Sequence, residues 1–234
     1  GVTKDENVFL ILNPDGSVSE QIVSDWLHSD TGFDAAADRS TLSGITNLKS
    51  DVLPAQDGEN LTWTTEDNDI YYQGTTQKAL PVDVSISYQL DGKPISAEDL
   101  AGKSGRVTIR FSYQNNQKET IEIDGKKETV YVPFVMLTGA VLDNDVFSNV
   151  QISNGKLLSD GDRSVVMGFA MPGLQESLNL DKRKLEIPDY VELTADVKDF
   201  RLDTTLTVAS NDIFNHLDLE DLDVQNLTSA ISQL

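Results

Sequence analysis

The sequence predicts a mainly β protein built from immunoglobulin-like β-sandwich units, with long loops and a C-terminal helix. Two stretches, 82–89 and 106–113, alternate apolar and polar residues, which is the pattern of a strand with one buried face. An Asn-Pro-Asp-Gly turn at 13–16 lies between two apolar runs and is typical of a β-hairpin. Many short strands at this spacing, separated by turn residues, favour a β-sandwich.

The first third of the chain carries the least regular pattern. The predicted hairpin is followed by residues 28–58, which are rich in Asp, Ser, Thr, Ala and Gly. We interpret them as long loops crossed by one strand near Ile45 to Leu48. Two short strands are predicted next, at "NLTWTTE" and "DIYYQGT". Beyond the alternating stretches, the remaining strands are predicted at 120–123, 129–137, 149–153, 163–171, 190–199 and 204–209.

The last residues change to a helical period. Their apolar positions follow the spacing of the a and d positions of a heptad. This pattern indicates a helix, which either leads into a coiled-coil stalk or packs back on the β-sandwich. The residues that carry the pattern are Val224, Leu227, Ile231 and Leu234.

The predicted organisation has three parts. These are an N-terminal β-rich part at 1–77, a β-sandwich domain at 78–210, and a C-terminal helix at 211–234 that leads to a truncated stalk. The first part is short for a core of its own. It either folds alone or donates strands to one larger sandwich. The start "GVTKDEN" lacks an initiator Met, so we expect the chain to be a piece of a longer protein.

Charge and composition narrow the classes of partner. The chain has 39 acidic and 18 basic residues and a net charge of −21, whereas nucleic acid and anionic membranes are bound through Lys and Arg. The absence of cysteine excludes thiol catalysis, disulfides and cysteine-ligated metals. The longest apolar run, Val130 to Leu142, has 13 residues, fewer than the ~20 that span a bilayer. We expect no nucleic-acid partner and no membrane contact by this region itself.

One short motif occurs three times. Asp143-Asn144-Asp145 is similar to Asp67-Asn68-Asp69 and Ser210-Asn211-Asp212, and each copy precedes a β-branched and an aromatic residue. An EF-hand calcium loop needs a further ligand and a Gly next, where this chain has Phe147 and Ser148. Asn and Asp also turn the backbone before a strand, and we favour that interpretation. Calcium stays the one alternative cofactor, with Asp143 and Asp145 as candidate metal ligands.

No catalytic motif is recognisable in the sequence. "AGKSG" at 101–105 is similar to the end of a phosphate-binding loop, but Ala97 stands where that loop needs a Gly. His28 and His216 are the only histidines, so a Ser-His-Asp triad would have to use one of them. We therefore predict that the chain is not an enzyme. A hydrolase that uses paired carboxylates is a third hypothesis.

Aromatic residues are the remaining candidates for ligand contact. Trp63, Tyr71 and Tyr72 lie in the irregular first third, and residues 28–44 are predicted to lie with them on one contact surface. Such rings stack on sugars in carbohydrate-binding proteins, although Trp and Tyr are also common in cores. We predict that the three aromatic residues bind a ligand. The alternative function they suggest is a carbohydrate- or calcium-dependent ligand-binding module.

Two longer stretches resemble a known group of proteins. They are "LPVDVSISYQLDGKPISAEDLAGKSGRVTIRFSYQN" at 80–115 and "LDNDVFSNVQISNGKLLSDGDRSVVMGFAMPGLQESL" at 142–178. Both are similar to the exported β-rich region of large, uncharacterised envelope proteins of Gram-positive bacteria. Those phage-infection-protein-like proteins carry leucine/glycine heptad repeats before their membrane spans. The resemblance covers the middle half of the chain.

The resemblance implies a location and a role. We expect an extracellular domain, attached to the cell envelope in the full-length protein, that is non-catalytic and acts in binding or as a structural spacer. Its partner would be an unknown surface ligand, either protein or glycan. The C-terminal helix would offer a route to oligomerisation.

Overall fold

The computed structural model describes residues 1–76 and 78–211, and these form a mainly β protein, as predicted. The strands are β1 (Thr3–Leu12), β2 (Val18–His28), β3 (Phe33–Arg39), β4 (Ser43–Asn47), β5 (Ala55–Asp57), β6 (Asn60–Thr65), β7 (Asp69–Thr75), β8 (Val82–Leu90), β9 (Lys93–Ile95), β10 (Gly105–Asn115), β11 (Lys118–Ile123), β12 (Lys126–Tyr131), β13 (Val135–Asp143), β14 (Phe147–Ile152), β15 (Gly155–Asp160), β16 (Arg163–Ala170), β17 (Tyr190–Val197) and β18 (Thr205–Ser210). Two helices of one turn each are α1 (Ala97–Leu100) and α2 (Leu174–Ser177).

Two large antiparallel sheets organise the described residues. The first has eight strands in the order β15-β16-β13-β18-β1-β2-β7-β4, and the second has five in the order β14-β17-β10-β8-β9. Two small sheets have the orders β11-β12 and β3-β6-β5. The eight-stranded sheet takes four strands from residues 1–77 and four from residues 78–210. The N-terminal part therefore donates strands to a sheet that it shares with the second part.

The alternating stretches become the central strands of the five-stranded sheet. Val107, Ile109 and Phe111 on β10 are each no more than 2% exposed. Ile109 lies opposite Tyr88 on β8 and, on the other side, opposite Leu193 on β17. Rows of apolar cross-strand neighbours stabilise a sheet and fix its register. The period-2 pattern in the sequence thus marks the face that packs into the core.

The main core cluster joins the two large sheets. Leu10 and Leu12 contribute from the eight-stranded sheet, and Leu193 contributes from the five-stranded sheet. The two sheets approach closely where β16 meets β17. The lack of a side chain at Gly168 permits this approach, since a Cβ there would collide with the side chain of Val191. A second, smaller apolar cluster lies near α2 and contains Val135, Met171, Leu174 and Ile187.

Residues 28–58 hold more regular structure than the sequence predicted. In place of long loops crossed by one strand, the structure has β3, β4 and β5 in this range. The reason is that β3 keeps only Phe33 buried, so the apolar alternation that reveals a strand is missing there. β4 coincides with the strand predicted near Ile45.

The helical part of the structure is small. No helix within residues 1–76 and 78–211 is both long enough and apolar enough to cross a bilayer. Beyond Asn211, the helix predicted at 211–234 lies outside the described residues.

Candidate functional site

The three aromatic residues predicted to bind a ligand do not share one surface. Trp63 and Tyr72 are fully buried, and their ring centroids lie 5.2 Å apart in the core. Tyr71 is half-buried and points to the other face of β7, because successive residues of a strand face opposite ways. A contact surface made of all three rings is therefore not what the structure presents, and Tyr71 alone stays accessible.

Tyr71 belongs to a group on the outer face of the eight-stranded sheet. It lies directly opposite Trp26 on β2, and the two rings stack with centroids 5.7 Å apart. The Trp26 Nε1–H donates to Asp69 Oδ1 at 2.9 Å, and His28 Nδ1 lies 2.7 Å from the same oxygen. The hydrogen bond to Asp69 raises the pKa of His28. Lys49 Nζ lies 5.0 Å from the Tyr71 ring centroid. The polar groups of Trp26, His28 and Asp69 are thus already paired with one another.

The candidate metal ligands Asp143 and Asp145 form a turn. Asp143 Oδ1 accepts a hydrogen bond from the Asp145 backbone N–H at 2.8 Å, and Asp143 Oδ2 accepts one from Arg201 at 2.7 Å. The Asp145 N–H, followed by Arg201, holds the pKa of Asp143 below its ordinary value. Between them, Asn144 donates to the Gly161 carbonyl at 2.7 Å.

This geometry fits a turn better than a calcium site. Arg201 already neutralises the Asp143 carboxylate, which weakens its attraction for a cation. Across residues 1–76 and 78–211, no three His, Asp or Glu side chains are grouped so that they could hold a metal ion. His28 has carboxylates on opposite sides of its ring, Asp69 at Nδ1 and Asp30 at Nε2, so they cannot converge with it on one ion.

An apolar area on the outer face of the eight-stranded sheet is the clearest candidate for a binding surface. We call it the outer patch. Its five residues are 38–65% exposed, and they are Val141, Leu158, Val165, Met167 and Leu206. The sheet register makes them contiguous across four strands, with Leu158 opposite Val165 and Val165 opposite Val141. Large contiguous apolar patches on protein surfaces often mark sites of interaction.

The outer patch is continued by a cavity and by an open sheet edge. A cavity of about 310 Å³ beside it is lined by Leu137, Leu158, Met167 and Phe169 among others. Within residues 1–76 and 78–211, β15 forms one end of the eight-stranded sheet and pairs with β16 alone. An unpaired strand edge with exposed apolar side chains is a ready template for another chain.

A second notable group is a buried ionic cluster between β1, β2 and β3. Lys4 Nζ donates to Asp38 Oδ1 at 2.7 Å and to the Arg39 carbonyl at 2.9 Å. The same Nζ lies 3.9 Å from Asp25 Oδ2. The side chains of Asp25 and Asp38 are 1% and 6% exposed, whereas Lys4 keeps 30% of its side chain exposed.

The two carboxyl groups of the cluster have different surroundings. Asp38 Oδ2 accepts hydrogen bonds from the Tyr72 hydroxyl at 2.6 Å and from the Trp63 Nε1–H at 3.4 Å. Neither oxygen of Asp25 makes a hydrogen bond within the described residues. Burial, and next the carboxyl group of Glu6, raise the pKa of Asp25 to about 8. Burial likewise raises the pKa of Tyr72.

Neither the outer patch nor the ionic cluster was predicted from the sequence. One signal for the cluster was present: Asp25 occupies an inward position of β2 between Val23 and Leu27, where the alternation demands an apolar residue. The pairing of Lys4 with Asp38 had no such signal, because the two residues are 34 positions apart. Predicting the outer patch would have required the strand order, which places β18 between β13 and β1.

Comparison with protein families and with curated proteins assigns no family to the chain. No protein-family model matches the chain. No curated protein matches it either.

Proposed function

We propose that this chain is a non-catalytic extracellular domain of a membrane-attached bacterial surface protein, acting in binding or as a structural spacer. The observation that carries the binding role is the outer patch, an uncharged apolar surface on a chain of net charge −21. Extended antiparallel sheets that share one core support the spacer role, because such a framework holds a surface in a fixed position.

The partner that we propose for the outer patch is a second copy of this chain. Two chains of charge −21 repel each other, so association is favoured only where the contact excludes opposing carboxylates. The five patch residues are uncharged. In addition, an edge strand such as β15 can pair antiparallel with its own copy about a two-fold axis. That pairing would extend the eight-stranded sheet and cover Leu158 of both copies.

We expect Leu158→Lys combined with Val165→Lys to weaken self-association at least tenfold, a change of about 1.4 kcal/mol. The reason is that two ammonium groups would replace the apolar contact between β15 and β16. Sedimentation velocity over a range of chain concentrations measures the monomer–dimer equilibrium.

The matched control for this experiment adds the same charge at a distant site. Thr120→Lys with Thr129→Lys changes an exposed cross-strand pair of the β11–β12 hairpin, and should leave the dimer intact. A wild-type chain that stays monomeric at every concentration would remove the proposed binding role. Equal weakening by both double variants would show that charge, and not the outer patch, governs association.

A carbohydrate-binding module is the second candidate, supported by the accessible part of the Trp26–Tyr71 stack. Sugars bind to ring faces flanked by polar groups, and Asp69 and His28 are adjacent. The paired-carboxylate hydrolase is supported least. Asp25 has a raised pKa beside Glu6, but its side chain is 1% exposed, so a substrate would not reach it.

A further inference from the structure

We propose that Lys4 and Asp38 become joined by an intramolecular amide bond, which forms in the folded chain with Asp25 transferring the protons. The bond would connect β1 of the eight-stranded sheet to β3 of the three-stranded sheet. It would be an intrinsic covalent modification that needs no partner molecule. The proposal does not depend on the outer patch or on self-association.

The reacting groups are already held together. Lys4 Nζ lies 2.7 Å from Asp38 Oδ1, and its second hydrogen bond, to the Arg39 carbonyl at 2.9 Å, fixes the direction of the amine. Both contacts involve neighbouring residues of β3, so the amine is positioned against the carboxyl group that it would attack. Holding two reactants in this way removes most of the entropic barrier to a bimolecular step.

Asp38 Oδ2 is placed where negative charge would develop. When the amine adds to the carboxyl carbon, one oxygen must carry the charge of the tetrahedral intermediate. The Tyr72 hydroxyl and the Trp63 Nε1–H both donate to Oδ2, at 2.6 and 3.4 Å. Fixed donors in a site shielded from water stabilise such an oxyanion strongly, and both aromatic side chains are fully buried.

Asp25 is the group that an ordinary ion pair does not explain. A second carboxyl group is unnecessary for neutralising Lys4, and a buried carboxyl without hydrogen bonds lowers stability. As a proton carrier, however, it is well placed, with Oδ2 3.9 Å from Lys4 Nζ. Its pKa, which burial raises to about 8, allows it to gain and release a proton near neutral pH.

The proposed step balances without any other reactant. Asp25, which holds a proton at neutral pH, passes it to Asp38 Oδ1 and takes one proton from the Lys4 ammonium, and the neutral amine then adds to the carboxyl carbon of Asp38. A second proton moves from the nitrogen to Oδ1 through Asp25. The C–Oδ1 bond breaks, one water leaves and the amide remains. Asp25 ends in the protonation state in which it began.

The product suits the surroundings better than the reactants do. Removing the Asp38 carboxylate and much of the Lys4 side chain from water has a desolvation cost, and a neutral amide removes both charges. The bond also closes a loop across 34 positions of the chain, which restricts the unfolded state. A domain exposed outside a cell, without cysteine for disulfides, would gain resistance to unfolding and proteolysis.

Intact-mass spectrometry of the purified full chain tests the proposal. We expect the wild-type mass to be lower than the sequence mass by one water. Lys4→Arg and Asp38→Ala should show the full mass, since each removes one reacting group. Asp25→Asn should show mostly the full mass while folding normally by circular dichroism. The control Lys127→Arg changes an exposed lysine on β12 and should still lose the water.

Digestion with trypsin locates the bond. Without it, cleavage after Lys4 and Arg39 gives peptides 1–4 and 5–39. With it, peptide 1–39 stays in one piece and lacks one water. Cyclisation at Asp15-Gly16 would also lose water, but would leave Lys4 open to cleavage. A folded wild-type chain with the full mass and a cut at Lys4 would overturn the proposal. Complete water loss in Asp25→Asn would overturn the assignment of Asp25.

Discussion

Trp63→Ala is expected to destabilise the protein by about 3–5 kcal/mol, the range for removing a buried large aromatic side chain. Trp63 is fully buried against Tyr72, and its Nε1–H also donates to Asp38. The substitution therefore leaves a cavity and removes a hydrogen bond to a buried carboxyl group. In a domain of this size, thermal unfolding should shift down by roughly 6–20 °C. Circular dichroism during heating measures the shift.

Trp26→Ala is the matched control for this prediction. Trp26 is half-buried on the outer face of the eight-stranded sheet, so its loss creates a smaller cavity, or none. We expect a destabilisation of about 1–2 kcal/mol or less, because exposed surface contributes little on truncation. If Trp63→Ala unfolded at the wild-type temperature, the side chain could not be part of the core. Its original assignment as a ligand contact would then regain support.

The stability of the chain should depend on pH through Asp25. Burial raises the folded-state pKa of this group from its ordinary value of 3.8 to about 8. Between these two values the folded protein keeps a proton that the unfolded chain releases. The contribution of Asp25 to the free energy of unfolding is therefore fully present below about pH 4. It falls by about 1.4 kcal/mol per pH unit as the pH rises toward 8.

Lys4→Arg is the appropriate background for measuring this effect. Arg keeps the positive charge near Asp25 but cannot form the proposed amide, so titration is separated from bond formation. Between about pH 5 and pH 7, unfolding by urea should become easier for Lys4→Arg than for Lys4→Arg/Asp25→Asn by roughly 3 kcal/mol. Titrating groups remote from Asp25 cancel in the comparison, whereas Glu6, which raises the pKa of Asp25, belongs to the measured effect. Parallel pH profiles would show that Asp25 is ionised in the folded state.

The sequence predicted the strands whose side chains strictly alternate. β8, β10 and the β1–β2 hairpin fall where the pattern and the Pro14-Asp15-Gly16 turn placed them, and Gly16 has φ of +90°, as such a turn requires. Local patterns succeed there because each strand buries one face against the core. An immunoglobulin-like assignment requires the order in which the strands are connected. The alternation of apolar and polar residues does not encode that order, so the assignment stays a prediction.

Other elements were missed for a physical reason. β3 and β5 are mostly exposed, and β15 has exposed leucines on both of its faces, Leu157 and Leu158. Such strands are held by pairing with a neighbour and not by a buried face of their own. Their existence depends on contacts between distant parts of the chain, which local patterns do not reveal.

Some features of the candidate sites could likewise be predicted from the sequence, and others could not. The sequence indicated that the Asp143-Asn144-Asp145 motif forms a turn, since Asn and Asp bond to nearby backbone groups, and the structure has that turn. Alternation along the predicted strand already places Tyr71 and Tyr72 on opposite faces, but which of the two rings enters the core with Trp63 depends on strand pairing. Lys4, Asp25 and Asp38 come together only when three strands are assembled.

The proposed function requires this chain to be exposed outside the cell. A membrane-impermeant reagent that modifies amines, applied to intact cells of the source organism, tests this location most directly. The exposed lysines Lys93, Lys103 and Lys127 report the modification, read by mass spectrometry of their peptides. We predict equal modification in intact and lysed cells, because an extracellular domain is accessible in both. Modification that occurs only after lysis would contradict the claim.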